Sequence, residues 1–265
     1  MRIFAVFPLL AVLSGCAQMF DSNLFKDVDT PPKLSSSAMA SASLTDIQND
    51  IADPNSASAF YQQLQSSPSA LTALQGNLTG KMNAATGAAQ VDVAQTLVLV
   101  TANGSGTVSV VNAAIQQASN LKSSSSSSIT AAVISLMAGK TTAEIAATLT
   151  QFETMQTAFY AMQMAAEDST THEVDSSVFY GTASASTQGN LAQIGLVSAA
   201  ADAMIQDAGG SSSITALAQS IHDGTFDDSM SHANIDLVST ALSSAQTVTN
   251  PYAYLSAVKS VVTVV

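Results

Sequence analysis

Residues 141–166 read TTAEIAATLTQFETMQTAFYAMQMAA, and this stretch decides the fold. Thr141 followed by Glu144 spells a capping box, in which each side chain satisfies a backbone N–H that the first helical turn leaves open. Beyond it Ile145, Leu149, Phe152, Met155, Phe159, Met162 and Ala166 recur in steps of three and four. That is one apolar stripe about six turns long. A helix so apolar needs neighbours to cover it, and the pattern predicts an all-α helical bundle. A stripe of Phe and Met also suits an apolar-ligand carrier, whose cavity would be lined by Met155, Phe159 and Met162; core packing is the simpler account.

The neighbours read as products of an internal duplication. Ser126 to Gly139 (SSSITAAVISLMAG) and Ser211 to Gly224 (SSSITALAQSIHDG) are identical at eight of fourteen positions, at an offset of 85. Serine bias inflates that identity, but the geometry is shared. Ile129, Ala132, Val133 and Leu136, like Ile214, Leu217, Ala218 and Ile221, follow i, i+3, i+4, i+7, and each run stops at a glycine. Two related three-helix units are expected, about 106–167 and 190–249. The Ser/Thr/Gly stretch Ser169 to Asn190 would connect them, pinned to the core by Phe179-Tyr180.

Other punctuation is helical as well. Thr45 with Gln48 reads as a capping box at the start of a helical domain spanning 44–265, and Asp53-Pro54, Ser67-Pro68 and Asn250-Pro251 each set a capping residue before a first-turn proline. The last of these predicts a terminal helix with Tyr254, Leu255, Val258 and Val262 on one face, docked on the bundle. Its end, Val264-Val265, is a candidate partner contact. One segment resists: β-branched runs at 97–101 and 107–111 flank Asn103-Gly104, the signal of a β-hairpin. Because the second arm continues into Ala113-Ala114-Ile115, helix-loop-helix is the preferred reading.

Composition limits function. Seven Lys plus Arg stand against 19 Asp plus Glu, giving a net charge of −12, and Arg2 is the sole arginine. Such an acidic chain repels nucleic acid and anionic headgroups and lacks the guanidinium fork that grips phosphate, so no nucleic-acid partner is expected. Cys16 is the single cysteine, which rules out a disulfide framework within the chain. A hydrophobic fraction of 47% with 10% charged residues is enough to build a core.

The N-terminus is the most specific segment. Met1-Arg2 is a short positive region, and Ile3 to Leu13 is an apolar run too short to span a bilayer, the form of an export signal. Leu13-Ser14-Gly15-Cys16 follows at once and resembles the lipobox of bacterial lipoproteins. The resemblance covers residues 1–16 only. It implies cleavage between Gly15 and Cys16, lipidation of the Cys16 sulfur, and, since Ala17 rather than Asp follows, residence at the outer membrane with the domain facing the periplasm. Two or three acyl chains anchor a protein durably, at about 0.8 kcal/mol per buried CH₂. Residues 16–43, with Thr30-Pro31-Pro32 and a Ser/Ala-rich end, read as a disordered tether.

Catalytic motifs fail one by one. Gly139-Lys140-Thr141 lacks the earlier glycine of a phosphate loop, because Ile134 stands there. Ser119–Lys122 and Ser256–Lys259 spell S-x-x-K without companion motifs. No cofactor motif is found. The segment 222–232 gathers His222, Asp227, Asp228 and His232, donors that suit a divalent metal, although helix-end and helix-start chemistry accounts for each separately. His172-Glu173-Val174-Asp175 is a weaker cluster. The reading that results is a lipid-anchored envelope protein, not an enzyme, with a structural or protein-interaction role; a metal-dependent protein using the 222–232 segment and an apolar-ligand carrier are the alternatives.

Overall fold

A computed structural model describes residues 34–120, 126–226 and 233–262. Among the described residues the fold is all-α: 13 α-helices form a bundle, and β pairing amounts to two isolated bridges, Glu167 to Val174 and Glu173 to Thr247. The helices are α1 (Ser36–Ser41), α2 (Leu44–Ala52), α3 (Pro54–Ser66), α4 (Pro68–Ala84), α5 (Gly87–Gly104), α6 (Val108–Asn120) and α7 (Ser126–Met137). They continue as α8 (Thr142–Ala165), α9 (Ser176–Tyr180), α10 (Ala185–Asp207), α11 (Ile214–His222), α12 (Ala233–Ser243) and α13 (Leu255–Val262).

Helix α8 starts as its sequence dictates. The Thr141 hydroxyl accepts from the Glu144 N–H at 3.3 Å, and the Glu144 carboxylate accepts from the Thr141 N–H at 2.9 Å. The Thr141 hydroxyl also donates to the Glu144 carboxylate at 2.7 Å, and this bond, aided by the one from the Thr141 N–H, holds the Glu144 carboxyl below its usual pKa. Every residue of the stripe from Ile145 to Ala166 is buried, because α8 is packed by α5, α10 and α11. Phe159 meets rings of the chain itself: the Tyr254 ring stacks on it with centroids 5.0 Å apart, and Phe179 lies 5.9 Å from Tyr254 in a nearly parallel plane. Gly195 lets α10 approach this stack, since a Cβ there would stand 3.1 Å from the Tyr254 ring and 3.2 Å from Phe159.

The segment of mixed signals is helix-loop-helix. Residues 97–104 finish α5, a turn at 105–107 with Gly106 at φ 74° redirects the chain, and α6 follows with its axis bent 86° from α5. The hairpin alternative loses for two reasons. Asn103 donates its side-chain amide back to the Leu99 carbonyl at 2.9 Å, a helical bond. Gly104 is needed for close packing, with Leu71 and Leu64 only 3.0 and 3.1 Å from where a Cβ would sit. Burial among α3, α4 and α8 thus overrides the β preference of Val98 and Val100. No single described helix is long and apolar enough to cross a bilayer; only α5 and α6 taken together reach that composition.

Three sequence expectations are corrected. The tether does not extend to residue 43: Ser35 caps α1, which packs on α4, buries Met39, and is clasped by Asn77, whose amide donates to the Met39 and Ala42 carbonyls at 3.0 and 2.9 Å. The packed body therefore begins before Leu44. The cap of α2 is Ser43, not Thr45, and Gln48 instead reaches Thr96 at 3.3 Å. The terminal helix starts at Leu255 rather than at Pro251, because the Tyr254 N–H is taken by a side chain of α8. Tyr254, Leu255 and Val258 are nevertheless buried, as docking requires.

The connection expected to run to Asn190 is shorter, since Ser184 caps α10 through the Thr187 N–H, but Phe179 and Tyr180 are buried and their carbonyls accept from Gln95. The segments expected to be related fall on α6–α8 and α10–α12 with unequal helices: 24 residues in α8 against 11 in α12. The two segments interleave, α11 lying on α8 and α7 on both α10 and α12.

Candidate functional site

The site grows from a polar line on the otherwise apolar α8. Gln156 and Gln163 lie two turns apart and are buried, which costs free energy unless every amide atom finds a partner. Gln163 finds three: its NH₂ donates to the Val248 and Asn250 carbonyls at 3.1 and 2.8 Å, and its oxygen accepts from the Tyr254 N–H at 2.9 Å. Gln156 donates to the Pro251 carbonyl at 3.2 Å. The Tyr254 hydroxyl, 2.6 Å from Gln156 Oε1 and 2.9 Å from the Gly195 carbonyl, points its one proton between two acceptors. Segment 248–254 thus hangs on two glutamines, and it positions Tyr252.

Beside this seam an open groove of about 350 Å³ lies between α8 and α10. Glu153, Gln156 and Tyr160, at successive turns of one α8 face, form one wall; Asp202 and Gln206, one turn apart on α10, form the other, and Tyr252 closes the base. Asn234 lines its α12 end. It is held there by Asp207, whose carboxylate accepts from the Asn234 and Ile235 N–H groups at 2.9 and 3.3 Å and so caps α12 from a neighbouring helix.

Asp202 is the unusual group. Its side chain is only 6% exposed, and it accepts from the Tyr252 hydroxyl at 2.9 Å and from Gln206 Nε2 at 3.2 Å. Burial pushes its carboxyl above the usual aspartate pKa, the two hydrogen bonds oppose that shift, and the charge of Glu153 adds to it. The Tyr252 phenol is raised too, by burial and by the Asp202 charge. Glu153 accepts a short hydrogen bond from Ser211. At the rim Tyr160 is 43% exposed, an aromatic face offered to solvent. The groove can therefore accept hydrogen bonds and receive positive charge.

The residues singled out in the sequence fall elsewhere. Cys16 lies outside the described residues, as do Asp227, Asp228 and His232. His222 ends α11 with its Nδ1 2.9 Å from the Lys140 carbonyl. His172, at φ 58°, pairs with Glu167 at 2.6 Å. Among the described residues no group of three or more His, Cys, Asp and Glu side chains converges to hold a metal ion. The two α8 positions Met155 and Met162 are fully buried. Asp202 escaped sequence reasoning, although it is the lone charged residue in Leu191–Ile205, a signal that was available. Compared with protein-family models, with curated proteins and with solved structures, the chain matches none.

Proposed function

We propose that this chain is a bacterial lipoprotein of the cell envelope, cleaved before Cys16, lipidated on that residue and held at the outer membrane, with its helical body facing the periplasm in a structural or protein-interaction role. The observation that carries the reading is Leu13-Ser14-Gly15-Cys16 placed directly after a positive n-region and an eleven-residue apolar run. The body is consistent with it in one respect: the described residues contain no cysteine, so the only thiol is the one the lipobox would consume. An acidic surface with a single arginine, itself within the cleaved segment, favours protein contact over nucleic acid.

The test is expression of the full chain and of Cys16→Ser in a Gram-negative host, followed by membrane fractionation and intact-mass measurement. The reading requires the unaltered protein to sediment with membranes at the mass of residues 16–265 plus acyl groups, and Cys16→Ser to lose both properties. Equal masses and equal partitioning of the two would overturn it. Cross-linking of the tagged protein in cells, read by mass spectrometry, tests the interaction role: a reproducible absence of protein neighbours refutes it.

A further inference from the structure

The groove beside Asp202 carries an inference independent of the anchor. A carboxyl this deeply buried normally has a cationic partner, because desolvation is otherwise uncompensated. Here both donors, a phenol and a carboxamide, are neutral, the nearby charge of Glu153 is of the same sign, and none of the described residues lining the groove is basic. Each Asp202 oxygen accepts one bond from the protein and keeps further acceptor capacity. The groove volume suits a small organic group. Tyr160, 43% exposed on the α8 wall, is the aromatic side chain of the groove that a bound cation can reach.

We propose that this groove binds an organic ammonium group, with the cation seated against the Asp202 carboxylate and Tyr160 flanking its entry. The missing positive charge is supplied by the ligand, and the neutral hydrogen bonds from Tyr252 and Gln206 keep the carboxylate oriented until it arrives. A free alkyl amine and a lysine side chain of another protein present the same chemistry, and both fit it.

Titration calorimetry on the full chain in detergent micelles tests the idea with cadaverine, with Nα-acetyl-lysine methylamide, and with uncharged 1,5-pentanediol. Saturable binding of one or both amines, and none of the diol, is the expected result. Response to cadaverine alone identifies a free amine as the occupant, and response to the lysine amide a partner's side chain. Asp202→Asn, which keeps an acceptor for Tyr252, should weaken binding about tenfold or more, and Tyr160→Ala, on the surface, about threefold. The proposal is overturned if neither amine binds, if the diol or potassium chloride gives the same response, or if Asp202→Asn binds as tightly as the unaltered chain. Should Asp202→Asn fail to fold, unchanged affinity in Tyr160→Ala overturns it instead.

Discussion

Replacing Gln163 by Met tests the claim that two buried amides hold the C-terminal segment. Methionine matches glutamine in length and suits an apolar environment, so packing is largely kept while the hydrogen bonds are lost. The Val248 and Asn250 carbonyls and the Tyr254 N–H all lose their Gln163 partner in a site with no solvent exposure. The Asn250 carbonyl still accepts from the Ala253 N–H at 3.0 Å, so two groups are orphaned; at about 2 kcal/mol each they cost about 4 kcal/mol, burying the apolar side chain returns about 1–2 kcal/mol, and the net loss is about 2–3 kcal/mol. In a domain of this size that lowers Tm by about 4–12 °C. Urea unfolding followed by far-UV circular dichroism measures the free energy. Near-UV dichroism is a sharper probe, because the chain has five tyrosines and no tryptophan, and Tyr252 and Tyr254 lie on the affected segment. Exposed Gln62→Met is the control, expected to change stability by less than about 0.5 kcal/mol. If Gln163→Met costs less than about 1 kcal/mol, the amide clamp does not hold the segment and the account of the seam is wrong.

Three further outcomes follow from the same contacts. Asp202 binds protons more tightly folded than unfolded, so its ionisation removes stability as pH rises through the usual aspartate range, and the penalty then persists at neutral pH. Asp202→Asn should be at least as stable as the unaltered chain at pH 7, with the advantage shrinking toward acid; a variant less stable at pH 7 than in acid, relative to the unaltered chain, contradicts this. Gly195→Ala adds a methyl against two stacked rings, one of them pinned at its hydroxyl, and should destabilise by about 1–3 kcal/mol despite alanine's better helix propensity; a gain in Tm would show that the stack yields. Deleting residues 34–43 uncovers α4 and orphans the Asn77 amide, so a melt unchanged from the full chain would restore the tether boundary at 43.

What could be read from the sequence was what is local. The Thr141–Glu144 box, the stripe from Ile145 to Ala166, the proline starts at 54 and 68 and the turn after His222 at Gly224 depend on neighbours within a turn or two, and they stand where the sequence places them. Boundaries set by distant contact were misread. Ser36–Ser41 has a local cap at Ser35 but too little apolar surface of its own to be ordered by it alone, and it is ordered because α4 offers a surface for Met39 and an amide at Asn77. The hairpin signal at Asn103-Gly104 was a true feature of the residues, outvoted by packing against Leu64 and Leu71.

The groove was hidden for a different reason. Its walls come from residues 153–160, 202–206 and 251–252, which meet only after the bundle has closed, and a glutamine on a helix reads as a surface residue until its partners are known. Yet the sequence held a usable trace. Leu191–Ile205 carries one acid among alanines and branched residues, and every residue of that run except Gln193 and Leu196 is buried, since alanine admits neighbours closely. A charge in that setting has no solvent face to turn to. It must find donors in the fold or counter-charge from outside, and the donors it finds here, Tyr252 and Gln206, are neutral. The same reasoning separates Asp202 from Asp207 five residues on, where the run ends: there the carboxylate is used up capping α12 through two backbone N–H groups and has no call for a ligand. A lone acid inside an alanine-rich helix is therefore a stronger pointer to a site than the richer cluster of His and Asp at 222–232, whose members helix-end chemistry can account for singly.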